Sequence, residues 1–246
     1  MLLTHRALLT FPLLSLLACV VVTAGVVAAV MLLPALAGQV VAVFCGYLVL
    51  ACIIMFGNGA LIHCADVVLA GRSPAVADGW RAAGRRAGAI LTWGLITSTV
   101  SLVLRVGLSR FGLLRLLGTL GVVTWVLLTY LVLPVVVLEG AGPRAGVRRS
   151  SELFRRTWGE RVAGQLGLGW ITALLVTPAI VVFVLGASLP GSAGIVAGGA
   201  LAGAWVLVVI VAMAGVSGVY QTAVYRFAAD GVTPAAFSGI DLGGAF

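Results

Sequence analysis

No lysine occurs in this chain, and there is little charge of any kind. All 15 basic residues are arginine, against 7 acidic residues and 2 histidines, and charged residues make up 9% of the 246. Soluble domains run about 25% charged. A chain that is 62% hydrophobic, with a mean hydropathy of +1.21, cannot hide that apolar surface in one water-soluble core. Lipid must be the solvent for most of it. About six membrane helices use up the length, which leaves no room for a separate soluble domain.

The spacings of metal and catalytic chemistry are missing too. Cys19, Cys45, Cys52 and Cys64 fall in or beside apolar blocks with no Cys-x-x-Cys pair, and no histidine lies at ligand spacing from two of them. They read as small buried hydrophobes. No nucleophile elbow, P-loop, dinucleotide fingerprint or zinc-protease string is present. The expectation is a protein with no catalytic residue, no metal and no cofactor. The remaining enzymatic reading is an intramembrane one in which His63 and Asp66 converge with Glu139. The net charge of +8 does not point to nucleic acid. The arginines stand between apolar blocks with no aromatic-interleaved basic domain, where anionic headgroups and the positive-inside rule account for them.

What is present is a series of apolar runs. Residues 8–33 are too long for a signal core of about 7–15 residues, so they are read as a retained first span. Further spans are expected near 40–66, 88–107, 116–138, 162–186 and 194–219, with Pro134 kinking the fourth. Two amphipathic helices are expected between them, at about 74–87 and 143–157. In the first, Ser73 is the candidate N-cap and Pro74 the first helical residue. Val76, Trp80, Ala83 and Ala87 share one face, and Asp78, Arg81 and Arg85 the other. In the second, Val147, Ser151, Phe154 and Trp158 share one face, and Arg148, Glu152 and Arg155 the other, with Glu152–Arg156 a favourable i, i+4 pair. Thr157-Trp158-Gly159-Glu160 reads as a capping box for the next span.

The even-numbered spans share one kind of ending. Gly71-Arg72-Ser73-Pro74, Gly140-Ala141-Gly142-Pro143 and Gly231-Val232-Thr233-Pro234 follow the second, fourth and sixth. An acid precedes the glycine in two of them, as Glu139 and Asp230, and Arg85-Arg86 and Arg155-Arg156 follow the first two prolines at similar offsets. The fold class expected is therefore all-α: a polytopic membrane bundle forming one integral membrane domain over 1–246, with three parallel hairpin repeats joined by cytoplasmic amphipathic linkers. Arg105, Arg110 and Arg115 would lie on one side and the other arginines on the opposite side, which places both termini and both linkers in the cytoplasm.

At Pro134-Val135-Val136-Val137-Leu138-Glu139-Gly140-Ala141-Gly142-Pro143, at Arg149-Ser150 and at Arg155-Arg156-Thr157-Trp158-Gly159-Glu160, the chain resembles a family of uncharacterised bacterial six-helix membrane proteins. Asn58-Gly59-Ala60-Leu61 resembles it as well. The resemblance implies an inner-membrane location and carries no catalytic residues. In layout the chain is also distantly similar to the membrane domain fused to some glycerophosphodiester phosphodiesterases, without their catalytic barrel.

The candidate residues fall into three sets. Arg81, Arg85, Arg86, Arg148, Arg149, Arg155 and Arg156 are expected to contact anionic headgroups on the cytoplasmic side. Asn58, Thr97, Ser101 and Arg105 would line a polar path in a small transporter or channel, although hydroxyls in membrane helices more often serve packing. Glu139 and Asp230 sit at helix ends where the dipole disfavours a carboxylate, so each is expected to hold a linker helix through a structural ion pair. The leading expectation is a non-enzymatic membrane scaffold or envelope factor whose partners are membrane lipids. The Gly194–Gly198 and Gly199–Gly203 spacings also allow a homo-oligomer.

Overall fold

The computed structural model describes residues 7–109, 121, 124–156, 158–189 and 192–230; the side chains of 7, 105–109, 154–156, 158–168 and 230 fall outside that description. Among the described residues every regular element is helical. That follows from the composition, because a backbone in hydrocarbon must satisfy its polar groups within its own segment. In chain order the helices are α1 (Ala7–Leu32), α2 (Leu36–Leu69), α3 (Val76–Arg85), α4 (Ala87–Ser109), α5 (Thr124–Glu139), α6 (Pro143–Arg156), α7 (Trp158–Ser188) and α8 (Ser192–Asp230). Five of them are long and apolar enough to cross a membrane. A sixth span is reached by counting Thr124–Glu139 with Pro143–Leu153, a pair bent by 119°.

The α2–α3 connection is fixed by backbone chemistry. Gly71 takes φ 76°, and its N–H bonds the Val68 carbonyl at 2.9 Å while the Arg72 N–H bonds Val67 at 3.1 Å. This is a Schellman closure, which needs a left-handed residue at its turn. Pro74 keeps Ser73 out of the helical region. As a result α3 starts at Val76 with Ala75 as an uncapped N-cap, and Ser73 and Pro74 do not begin it as expected. Gly140 repeats the left-handed conformation at φ 72°, and there Pro143 does open the following helix.

The core lies at the end of the bundle where α3 and α6 sit. Phe11, Leu61, Ile62, Ile90, Trp93, Val132 and Val136 form its centre. A smaller cluster joins Leu131, Val135, Leu153 and Tyr225. At the opposite end Met31 and Leu32 are each 82% exposed, surface that lipid covers in a membrane. Helix α2 is the hub, packing on α1, α3, α4 and α8.

Helix α3 rests on the core through Trp80, whose ring stacks between Phe11 at 5.4 Å and Phe56 at 5.7 Å. Gly79 permits the close approach, since a Cβ there would come 2.9 Å from the Ala60 carbonyl oxygen. Helix α6 buries Gly146, Ser150 and Leu153. Of the expected stripe, Val147 packs against the core and Ser151 is half-buried, while the side chains of Phe154 and Trp158 lie outside the described residues. The sequence assigns Ser150 to neither face, and its hydroxyl has bonds to make inside.

Candidate functional site

Those bonds start from Pro134. A proline has no N–H to offer the carbonyl four residues back, and its ring crowds that carbonyl. In α5 the carbonyl in question is that of Tyr130. The helix breaks there: residues 130 and 131 form a turn, and a π-helical stretch, Val135–Glu139, follows. Gln221 of α8 donates its amide to the Tyr130 carbonyl. Ser150 of α6 accepts from the Leu131 N–H at 3.3 Å and donates to the Leu128 carbonyl at 2.7 Å. Gln221 thus supplies the donor that the proline removed, and Ser150 satisfies the turn beside it, as a broken helix in an apolar bundle requires.

Below the break, Glu139 ends the π-helical stretch between two elements. Tyr225 of α8 donates to it at 2.8 Å, and Arg149 of α6 lies at 3.4 Å. Arg149 also approaches Glu152 at 3.8 Å, and the expected Glu152–Arg156 pair lies outside the described residues because the Arg156 side chain does. Across the layer, Asp66 at the end of α2 takes Arg226 of α8 at 2.6 Å, and the same guanidinium donates to the Asp66 carbonyl at 3.0 Å. Arg86 lays its guanidinium against the Cα of Gly140, in the space a Cβ would need. That places a cation at the carbonyl end of a helix, where the dipole favours it.

The arginines of this end therefore divide. Arg86, Arg149 and Arg226 turn onto protein groups. Arg72, Arg81, Arg85, Arg144 and Arg148 are exposed, as is Arg86 despite its contact with Gly140. Arg72, Arg81 and Arg85 line a polar cavity of about 450 Å³ between α2 and α3, with His63, Ser73 and Asp78 on its walls. Arg81 pairs with Asp78 at 3.2 Å while both stay largely exposed. Arg72 and Arg85 have no polar partner among the described residues. On the other face of α3 lies an apolar crevice of about 610 Å³ between α1, α2 and α4, lined by Cys52, Phe56, Trp80, Ala87 and Leu91 among others.

The other expected residues are placed as follows. The Thr97 hydroxyl accepts from the Trp125 indole N–H at 3.2 Å, so it joins α4 to α5. Ser98 returns its hydroxyl to the Leu95 carbonyl, and Tyr47 donates to the Ser98 carbonyl at 3.1 Å. Asn58 and Ser101 are half-buried on α2 and α4. The side chains of Arg105, Arg155, Arg156 and Asp230 lie outside the described residues, as do Arg6, Arg110, Arg115, Thr157 and the third Gly-x-x-Pro. His63 and Asp66 part company, His63 to the polar cavity and Asp66 to Arg226. Among the described residues no three of His, Cys, Asp and Glu group as metal ligands would. The sequence reading missed Arg226 as a partner. The signal was there: a lone carboxylate in an apolar helix needs a cation at its own depth, and Arg226 is the arginine of α8.

A family model described as a family of unknown function, DUF6159, matches residues 36–235. No curated protein and no solved structure matches the chain.

Proposed function

Starting from the fact that the chain belongs to the family of unknown function DUF6159, we propose that it is a multi-pass protein of the bacterial cytoplasmic membrane that acts as a non-enzymatic scaffold or envelope factor. In this reading it holds a layer of arginine against anionic headgroups. The observation that carries the reading is the division of the arginines. Arg149, and the exposed Arg86 against Gly140, lie on protein groups of the linker region, while Arg72, Arg81, Arg85, Arg144 and Arg148 stay exposed beside it. A basic helix that is rigidly seated and still exposes guanidinium groups suits a phosphate-bearing surface. The arginine excess at this end favours the cytoplasmic face for both linkers and both termini. The matched left-handed Gly71 and Gly140 support a repeated hairpin plan, whose third member would end at Gly231.

The test is thermal unfolding of the full chain in neutral detergent with added phosphatidylglycerol or phosphatidylcholine. Lipid that binds the folded state stabilises it by about 2.7 kcal/mol at a hundredfold excess over Kd. The reading expects that gain from the anionic lipid, reduced by salt. Equal shifts from both lipids overturn it.

A further inference from the structure

The polar cavity on α3 differs from the rest of the arginine layer. Three guanidinium groups and one carboxylate line it, which leaves two positive charges in excess. The carboxylate, Asp78, occupies Arg81, so the excess resides on Arg72 and Arg85, neither of which has a polar partner among the described residues. His63 and Ser73 add hydrogen-bonding groups to the same wall. The linker helix α6 offers no counterpart in Arg149, which is engaged by Glu139 and Glu152.

An apolar space lies across α3 from this polar one, and their linings come nearest along the chain at the α3–α4 junction. Arg85 lines the polar cavity and Ala87 lines the apolar crevice, so two steps of chain at the α3–α4 junction take the surface from cationic to oily. Trp80 and Arg81 divide in the same way on either side of α3. Such a pairing fits an amphipathic molecule with a charged head and a hydrocarbon tail. The volumes, about 450 and 610 Å³, are those of small-molecule sites. A phosphodiester brings one negative charge, whereas a phosphomonoester carries about 1.5 to 2 at pH 7. The two-charge excess matches the monoester.

We propose that this pair of cavities binds one phosphomonoester-headed lipid, with its phosphate held by Arg72, Arg81 and Arg85 and its acyl chain in the crevice beside Ala87 and Leu91. The proposal rests on the lipid-contact reading and narrows it to one place and one headgroup class.

The experiment titrates the full chain, in phosphatidylcholine nanodiscs, with dioleoyl phosphatidate, dioleoyl phosphatidylglycerol or soluble glycerol 3-phosphate, and reads the midpoint of thermal stabilisation. Phosphatidate is expected to half-saturate at a concentration at least about fivefold below phosphatidylglycerol, since charge-assisted bonds to a dianion are the stronger. Arg72→Gln with Arg85→Gln weakens phosphatidate about tenfold or more and removes the preference, as the loss of bidentate guanidinium contacts would. Arg144→Gln with Arg148→Gln keeps the preference. Asp78→Asn, which frees Arg81, tightens phosphatidate, an outcome a merely structural role would not produce. If both anionic lipids stabilise equally, or the two double variants behave alike, this site is wrong while the broader reading stands. If glycerol 3-phosphate matches the lipid, the crevice plays no part and the proposal falls. If no anionic lipid acts at all, the broader reading falls with it.

Discussion

Linker helix α3 is held to the bundle by aromatic rings, and linker helix α6 by hydrogen bonds and one carboxylate. Both follow a left-handed glycine, and both carry arginine on their outer face. Trp80 wedged between Phe11 and Phe56 gives α3 its hold without using a charge. Arg72, Arg81 and Arg85 are thereby left to line a cavity. Helix α6 instead commits Ser150 to the broken α5 and Arg149 to Glu139. The apolar anchor leaves charge available for a ligand, and the polar anchor uses part of it up. The difference follows from Pro134, because a helix interrupted by proline presents backbone groups that only a polar neighbour can satisfy.

Cutting the apolar anchor should have the largest effect. Trp80→Ala is expected to cost about 3 kcal/mol, the low end for truncating a large aromatic because Trp80 is only partly buried. Limited proteolysis near Gly71 should rise with it, and Trp80→Phe should restore most of the loss. If Trp80→Ala melts like the parent protein, α3 is not held by its rings. The polar anchor should cost less. Ser150→Ala leaves the Leu131 N–H and Leu128 carbonyl without the hydroxyl, a penalty of about 1–3 kcal/mol for buried groups. A thermal melt unchanged by that substitution would mean α6 is seated by Leu153 and Val147 alone. Glu139→Gln is milder. The amide still accepts from Tyr225 and loses only the charge facing Arg149, in a pair whose side chains are 37% and 33% exposed, so under about 1 kcal/mol is expected. Raising the salt should close the gap between this variant and the parent; a gap that persists would show that the carboxylate acts through something other than the Arg149 charge.

That the chain folds as several long apolar helices could be read from the sequence, because length and hydropathy alone set a membrane helix, although α8 runs on to Asp230, past the 219 expected for the last span. The outer arginines of α3 were equally legible, as was the break at Pro134. What could not be read was which partner a polar group would choose. His63 and Asp66 share a helical spacing, yet one turns to α3 and the other to an arginine 160 positions away. The burial of Ser150 on α6 could not be read either, because it depends on the Leu131 N–H and Leu128 carbonyl that the turn at 130–131 presents to it.

The sharpest test of what Pro134 removes is a pair of substitutions in α5 and α8. Gln221 donates to the Tyr130 carbonyl, the one Pro134 deprives of its N–H. Gln221→Leu should cost about 0.6 kcal/mol, the average for hydrogen bonds between membrane helices. Pro134→Ala restores an N–H at the position that would serve Tyr130. In that background Gln221→Leu should cost measurably less, because the carbonyl then has a donor within its own helix. A double-mutant cycle isolates the coupling. Strict additivity would mean that Gln221 does not stand in for the proline's missing N–H. A coupling near the full cost of Gln221→Leu would show that α8 completes the helix that Pro134 interrupts.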